Sequence, residues 1–374
     1  MRLARLLAVA RKEVIQIRRD PRSLGMAFVI PMILLFLFGY ALTLDVDNLA
    51  TIVYDQDRAA AGRAFLARFE ESGYFRVVAT AGSYGDVEWA LDSGRARVAL
   101  VIPRNFARDL DLGRPVTVQA LLDGSDSNTA TIALSYIEAI TGRFSNQIVT
   151  ERVGVFRRDL PVDTRLRVWY NPELESKNYI VPGLIAVIMM VIAALLTSLT
   201  IAREWERGTM EQLIATPIRV SELVLGKLLP YFAIGFIDVV LAVIAGTLVF
   251  RVPFRGNLAL LLGLSLIFLL GALSLGMVVS IKAKSQLVAS QVAMVFTFLP
   301  SFLLSGFMYD IGNMPGWLQA ITYAFPARYF VTILKGIFLK GVGLSVLGPE
   351  AVFLAAFALV VTVAARATFR KNLE

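Results

Sequence analysis

The sequence predicts a polytopic α-helical membrane protein with six transmembrane helices, re-entrant or interfacial helices, and an inserted α/β domain outside the membrane. Of its 374 residues, 57% are hydrophobic and the mean hydropathy is +0.67, whereas soluble domains are about 45–50% apolar. The apolar residues are concentrated in runs of about 20, the length that crosses about 30 Å of hydrocarbon. Residues 45–178 form one long interruption of mixed polarity, which predicts the inserted domain.

Residues 1–22 predict a basic amphipathic helix that lies on the inner leaflet. One side is an apolar stripe and the other is basic: Leu3, Leu7, Ala10, Val14 and Ile17 against Arg5, Lys12 and Arg19. This helix is either a generic positively charged anchor or an elbow helix that braces the first span and contacts a cytoplasmic partner. The first span, 23–44, is not expected to be a cleavable signal peptide, because its basic lead-in is long and no clear small-x-small site follows.

Within 45–178, short strand-like runs alternate with helix-like runs, a pattern typical of a small α/β domain. The predicted strands are 49–55, 97–103 and 115–123, and the predicted helices are 57–72, 84–94, 104–112 and about 126–158.

After this domain the long apolar runs return. The predicted spans are 179–202, 221–250, 257–281, 286–308 and 349–368, followed by a tail, 369–374. Pro349 in the first turn and a snorkelling Arg366 would let the short last run reach across the membrane. The apolar stretches of 309–342 are too short to cross, so this segment predicts re-entrant or interfacial helices with aromatic residues at the headgroup level. The alternative is a seventh span at 327–343, which would place the C-terminus outside.

The distribution of Lys and Arg predicts the orientation. With the N-terminus inside, the short inner segments carry 16 basic residues and the short outer segments carry 5. Both termini are therefore expected in the cytoplasm. The net charge of +8 belongs mainly to this inner face, so it indicates contact with anionic lipid headgroups rather than with nucleic acid.

Composition also limits the chemistry. The chain has no Cys and no His, so it lacks disulfides, thiolates, and the commonest general base and metal ligand. No G-x-x-x-x-G-K-[ST] motif and no paired-carboxylate, nucleophile–base or metal-ligand arrangement occurs. The sequence therefore predicts no catalytic residue, cofactor or metal in this chain, and any nucleotide that drives the protein must bind to another chain.

The segment IAREWERGTMEQLIATP, residues 201–217, places dense charge between two apolar runs. It can form a short helix with Glu204/Arg207 and Arg207/Glu211 pairs, and Pro217 ends it. Composition alone favours a solvated loop whose charges satisfy one another. A Trp and a Met beside mixed charge on a short loop are the features that instead indicate a docking site for another protein.

The stretch AREWERGTMEQLIATPIRVSELVLGKLLPY resembles the signature of ABC-2-type permeases, the membrane subunits of type V ATP-binding-cassette exporters. KEVIQIRRDPRSLGMAFVIPMILLFLFGYAL resembles the elbow helix and first span of that family, and LPSFLLSGFMYDIGNMPGWLQAITYAFPARYF resembles its re-entrant region. The resemblance covers the whole chain and is specific to the bacterial multidrug-type group. It implies a permease of the bacterial inner membrane, with 45–178 in the periplasm, that exports drugs or other amphipathic molecules.

The resemblance further implies that 203–217 is a coupling helix that inserts into a separate cytoplasmic ATPase subunit, which would bind ATP and Mg²⁺. The implied contact residues are Arg203, Glu204, Trp205, Glu206, Arg207, Met210 and Glu211, with a weaker second contact at Lys282 and Lys284. The other implied partners are a second permease, in a homodimer or heterodimer, and a periplasmic adaptor protein.

Four polar residues are candidates for lining a transport path: Asp238, Gln291, Ser301 and Ser305. A carboxylate in mid-span is costly and faces protein or water, so Asp238 is either a polar site in the path or a structural hydrogen-bonding group. The other three can instead pack helices together. Two rival functions stay open: a membrane receptor or assembly factor with a sensing domain, and a membrane-embedded enzyme that acts through carboxylates.

Overall fold

The computed structural model describes residues 2–41, 47–153, 169–171 and 175–369. The chain divides into two compact units, one formed by Met1–Thr43 with Arg167–Glu374 and the other by Leu44–Leu166. The smaller unit is therefore inserted into the larger one. Parts of several predicted segments lie outside the described residues: residue 1 of the first helix, 42–44 of the first span, 45–46, 154–168 and 172–174 of the inserted domain, and 370–374 of the tail.

The larger unit begins with the amphipathic helix α1, Leu3–Arg18. A second helical stretch then runs without a break through α2, Pro21–Leu24, a π-helical turn, Gly25–Val29, and α3, Ile30–Ala41. Pro21 suits the first turn, because its fixed φ is already helical and it has no N–H to leave unpaired. The whole stretch is about 30 Å long at 1.5 Å per residue, which is the length the predicted first span requires.

The smaller unit contains a four-stranded mixed sheet. Its elements in chain order are β1, Leu49–Asp55; α4, Ala60–Glu71; β2, Phe75–Thr80; α5, Tyr84–Asp92; β3, Val98–Ile102; α6, Phe106–Asp111; β4, Gln119–Leu122; and α7, Ser127–Val153. The strand order is β2-β1-β3-β4, with β1 parallel to β2 and β3, and β3 antiparallel to β4. The three predicted strands are confirmed, but β2 was missed. It lies at the sheet edge and only Phe75 is buried in it, so it lacks a continuous apolar signal.

The remaining helices belong to the larger unit. They are α8, Ser176–Glu206; α9, Thr209–Ala215; α10, Val220–Ile244; α11, Leu258–Ala283; α12, Gln286–Leu303; α13, Gly316–Thr322; α14, Pro326–Lys335; and α15, Leu344–Thr368. Among the described residues, five helices are long and apolar enough to cross a membrane: α8, α10 with its π-helical extension to Val249, α11, α12 and α15. The last of these begins at Leu344, so Pro349 lies inside the helix and not in its first turn. This corrects the predicted start at 349, because the helix accepts the proline near its beginning and gains length from the residues before it.

Helix α8 lies at the centre of the larger unit, where α3, α10, α11, α12 and α14 pack around it. Its contact with α11 is close because Gly276 leaves room for Ala194 and Thr197. Hydroxyl groups then join the two backbones: Thr197 Oγ1 donates to the Leu273 carbonyl at 2.8 Å. Small residues and hydroxyl contacts of this kind are how membrane helices associate.

The segment predicted to be re-entrant contains a 3₁₀ turn, Ile311–Asn313, then α13 and α14, and a π-helical extension, Gly336–Lys340. α14 and its extension together are about 22 Å long at 1.5 Å per residue, which is shorter than the hydrocarbon core of about 30 Å. Nearly every residue from Pro326 to Leu339 is buried in the protein, and Phe330 stacks on Phe268 of α11 with centroids 3.9 Å apart. The short, enclosed helix agrees with a re-entrant element, which stays a prediction.

Candidate functional site

The charged segment between α8 and α10 is divided in two by a glycine turn. α8 continues through Arg203 and Trp205 and ends at Glu206. Gly208 then adopts a φ of +67°, a left-handed conformation that favours glycine. The seven-residue α9 follows. The prediction of a single helix over 203–217 is therefore wrong, because its first four residues belong to the end of a long apolar helix.

α9 has one buried side and one exposed side. Met210 is fully buried and Ile214 is 9% exposed, and both pack into the hydrophobic core of the larger unit. Glu211, Gln212 and Ala215 are exposed on the other side. Met210 therefore anchors α9, and the expectation that it contacts another protein is corrected for this conformation.

Glu206 and Arg207 at the end of α8 are exposed, as is Glu211 of α9. Glu204, by contrast, is 3% exposed and Arg203 is 7% exposed. The expectation that Glu204 and Arg203 contact a partner directly is corrected in the same way as that for Met210. The accessible charges of the segment are the last residues of α8 and the outer side of α9.

Glu204 is part of an ion cluster that joins three helices and is buried except at Lys12, whose side chain is 44% exposed. Its Oε1 accepts hydrogen bonds from Lys12 Nζ of α1 at 2.8 Å and from Lys227 Nζ of α10 at 3.0 Å, and its Oε2 accepts one from the Thr209 hydroxyl. Lys227 Nζ also donates to Glu13 of α1. The side chains of Lys227 and Glu13 are each 1% exposed. We call Lys12, Glu13, Glu204 and Lys227 the ionic junction.

The ionic junction replaces the ion pairs expected from the sequence. Glu204 pairs with two lysines far away in the chain and not with Arg207, the neighbour predicted from helical spacing. A buried charge is tolerated when a partner of opposite charge and further hydrogen bonds compensate for its lost hydration. The junction therefore fixes the end of α8, and with it α9, to α1 and α10.

α1 docks on α10 through a side that differs from the predicted apolar stripe. Its buried residues are Leu6, Val9, Ala10, Glu13 and Ile17. Gly226 of α10 permits the close approach, since a Cβ there would lie 2.8 Å from Val9 Cβ and 2.9 Å from the Leu6 carbonyl oxygen. Three residues of the predicted stripe point away from the protein and are exposed: Leu3, Leu7 and Val14.

The two segments predicted as separate partner contacts lie side by side. The carboxylate of Glu206 accepts hydrogen bonds from the backbone and side-chain amides of Gln286, the first residue of α12. Lys284 Nζ lies 5.0 Å from the centroid of the Trp205 ring, a cation–π contact. Lys282 is exposed. The end of α8 and the loop before α12 therefore form one continuous surface.

A further ion pair joins the end of α8 to the α1–α2 link. Arg203 Nη1 lies 3.3 Å from Asp20 Oδ2, and Arg203 Nε donates to Gln286 Oε1 at 3.3 Å. Asp20 lies between α1 and α2. The ion pair therefore holds the link that follows α1 against the end of α8. Arg203 is thus a structural residue of the same junction region.

Sequence reasoning missed Glu13, Lys227 and Tyr231. The Tyr231 hydroxyl lies 3.5 Å from Glu13 Oε2, at the limit of a hydrogen bond. The available signal was the position of each charge: Glu13 shares helical spacing with Val9 and Ile17, and Lys227 lies within an apolar run. A charged side chain in a buried stripe requires a buried partner of opposite charge. Glu13 and Lys227 are therefore candidates to pair with each other.

The structure does not place the four predicted path residues on one surface. Gln291 is exposed, whereas Ser301 of α12 is 2% exposed and Ser305, just after the end of α12, is 1% exposed. Ser305 Oγ accepts a hydrogen bond from the Phe307 amide at 3.3 Å. Asp238 is 1% exposed, and its Oδ1 has no hydrogen-bond partner among the described residues.

The comparison with known proteins agrees with this architecture. A family model described as ABC-2 family transporter protein matches residues 21–367. The chain belongs to the ABC-2 transporter family. This ABC-2 permease is 38% identical over 338 residues to the probable multidrug ABC transporter permease YbhS of Escherichia coli K12, covering 90% of this chain and 89% of YbhS.

Two other relatives of this ABC-2 permease come from the same organism. It is 31% identical over 342 residues to the probable multidrug ABC transporter permease YbhR, covering 91% of this chain and 92% of YbhR. It is 28% identical over 295 residues to the inner membrane transport permease YhhJ, covering 77% and 76% of the two chains. These relatives and the apolar helices indicate a multi-pass protein of a bacterial inner membrane. Membership of the family implies a non-catalytic membrane component that associates with ATPase subunits and dimerises.

Proposed function

We propose that this chain is the permease of an ATP-driven exporter that moves drugs or other amphipathic molecules out of the bacterial cytoplasm. The observation that carries the proposal is α9 with the adjoining end of α8. Glu206 and Arg207 are exposed at the end of α8, and Glu211 is exposed on α9, whose other side is anchored by Met210. The names of YbhS and YbhR, both probable multidrug permeases, support the substrate class.

The proposed topology has six spans, with 23–44 as the first, and both termini in the cytoplasm. The excess of Lys and Arg in the inner segments, 16 against 5, supports this orientation. Residues 45–178 are then periplasmic, and α9 faces the cytoplasm. The exposed Leu3, Leu7 and Val14 of α1 face the inner leaflet in this arrangement, beside basic residues suited to anionic headgroups.

We propose that α9 and the end of α8 contact a separate ATPase subunit, which binds ATP and Mg²⁺. Lys282, in the last turn of α11, and Lys284, in the loop that follows, form the second contact. Because Glu204 ties the end of α8 to α1 and α10, a displacement of α9 is transmitted to three helices together. Packed elements of this kind shift as rigid bodies rather than deform continuously.

The proposed assembly contains two permeases, as a homodimer or with a paralogue, and two ATPase subunits. α12 offers an apolar surface for a second permease, with exposed side chains that include Met294, Val295, Phe296 and Leu299. The periplasmic domain would meet an adaptor protein. The transport path would lie between the two permeases.

The decisive test reverses the exposed charges. The double variant Arg207→Glu with Glu211→Lys should lose co-purification of the ATPase subunit and substrate-stimulated ATP turnover, because it changes only accessible residues of the proposed contact. Unfolding free energy should stay within about 0.5 kcal/mol of the wild type, as is usual for surface substitutions.

The matched control is Arg76→Glu with Glu88→Lys, which reverses one exposed charge of each sign in the inserted domain. This control should retain ATPase binding and turnover. If the 207/211 variant binds the ATPase and turns over as the control does, α9 is not the coupling element.

A further inference from the structure

The inserted unit contains a partly open, mainly apolar cavity of about 630 Å³. Four phenylalanines line it, and Phe65 lies 5.1–5.9 Å, centroid to centroid, from each of the other three: Phe69, Phe106 and Phe144. Protein interiors are close-packed and contain few voids larger than a water molecule. A space of this size is therefore a feature of the fold, and it lies within the range of about 300–1,000 Å³ typical of small-molecule pockets.

Two packed elements hold the cavity open. Phe65 and Phe69 on α4 are 2% and 1% exposed, so they are fixed by their surroundings. From the other side α7 contributes Ile137 and Phe144 at helical spacing. Burying an apolar molecule against these aromatic walls removes apolar surface from water, which is favourable.

Three of the residues that line the cavity have polar side chains. They are Arg114, after α6, and Thr141 and Ser145 of α7. The Arg114 side chain is 65% exposed, and its Nη1 lies 3.8 Å from Asp109 Oδ1, a long ion pair. A guanidinium that is accessible in this way can bind a carboxylate or sulfonate through two parallel hydrogen bonds.

We propose that this cavity binds small amphipathic molecules that have an aromatic body and an anionic group. The aromatic body packs against the cluster of phenylalanine rings, where edge-to-face contacts are favourable, and the anionic group is held at Arg114. Neither the fold family nor the coupling site requires this binding. It can be measured without ATP or transport, so its failure and the failure of the proposed function are distinguishable.

The test uses full-length protein in lipid nanodiscs and the photoreactive anion 4-benzoylbenzoate. We expect saturable labelling of peptides within 110–120 and 137–149, and competition by unreactive 4-phenylbenzoate. Thr141→Trp fills the mouth of the cavity and should abolish this labelling. Ala139→Trp places the same side chain at an exposed position of α7 that does not line the cavity, and it should label as the wild type does.

The anionic group is tested separately. Arg114→Gln should weaken 4-benzoylbenzoate binding about two- to fivefold, as expected for an exposed ion pair, and leave labelling by neutral benzophenone unchanged. Arg108→Gln is the matched control, because Arg108 also lies near Asp109 but does not line the cavity.

The proposal is overturned if wild-type labelling is not saturable, if it maps outside the two peptides, or if Thr141→Trp and Ala139→Trp label equally. Competition in the wild-type protein decides the question even if Thr141→Trp fails to fold.

Discussion

Two parts of α10 hold buried ionisable side chains in opposite ways. Near the start of the helix, Lys227 lies between Glu13 and Glu204, so each buried group has a partner of opposite charge. About three turns further along, Asp238 is as deeply buried, yet its Oδ1 has no hydrogen-bond partner among the described residues. The first arrangement depends on every partner being present. The second costs stability, which makes Asp238 a candidate for a role other than folding.

The largest effect is expected from Lys227→Met. This substitution removes the cation shared by Glu13 and Glu204, and the free energy of unfolding should fall by about 3–5 kcal/mol, the usual result of leaving a buried charge without its partner. Denaturant titration of the purified protein in detergent measures the loss. Lys284→Met removes an exposed lysine on the adjoining loop and should have little effect.

A triple variant sharpens the same comparison. Adding Glu13→Leu and Glu204→Leu to Lys227→Met replaces the buried charges with apolar groups, which is often neutral or stabilising. Recovery of most of the lost stability would show that the penalty comes from unpaired charge. If Lys227→Met alone unfolds no more easily than Lys284→Met, the junction is not structural.

A smaller effect is expected from Glu204→Gln. The amide keeps the shape and the Thr209 contact but loses the charge-assisted bonds to Lys12 and Lys227, while Lys227 retains Glu13. We expect a loss of about 1–3 kcal/mol and faster amide hydrogen exchange in α9. The control Glu206→Gln changes an exposed carboxylate two residues away. Equal exchange in the two variants would contradict the anchoring role of Glu204.

The junction also shows what the sequence could and could not predict. Long apolar runs predicted the five helices that are long and apolar enough to cross a membrane, because the length of a span is dictated by the thickness of the bilayer. The burial of Glu204 was not predictable from local spacing, since its partner Lys12 is 192 residues away and only the tertiary fold brings the two together. Helical spacing favoured Arg207 as partner, and the turn at Gly208 places Arg207 outside.

Other differences have similar local causes. The apolar stripe of α1 contains residues of both kinds, Ala10 and Ile17 buried against the protein and Leu3 and Leu7 exposed. In the proposed topology the exposed residues face lipid, so α1 has two apolar neighbours. Hydrophobicity identifies the apolar residues of α1, but it cannot tell which of them contact protein and which contact lipid.

Asp238→Leu tests the other half of the comparison. Because one carboxylate oxygen has no partner, its removal should leave the free energy of unfolding unchanged or raise it by up to about 2 kcal/mol. Efflux of cationic substrates from cells that express the variant should nevertheless fall. A loss of stability like that of Glu204→Gln would show that Asp238 has a structural partner. Normal efflux of every cationic substrate would show that Asp238 does not act in the transport path.

The smallest effect is expected from Asp86, an exposed carboxylate whose partners are all local. It accepts hydrogen bonds from the backbone amides of Gly82 and Ser83, both at 2.9 Å, and completes a capping box at the start of α5. The hydrogen bonds with Ser83, and then that with Gly82, lower the pKa of Asp86 from its usual value of 3.8.

Because the pKa of Asp86 is depressed in the folded state, its contribution to stability is present above pH 3.8 and is lost as the pH falls through the folded-state pKa. Amide exchange in the first turn of α5, corrected for the intrinsic pH dependence of exchange, should therefore stay constant between about pH 7 and 5 and rise below about pH 4. Asp86→Asn should remove this pH dependence. If the exchange rate still rises below pH 4 in Asp86→Asn, another carboxylate controls the first turn of α5. The local cap would then depend on a group outside it, as the ionic junction does.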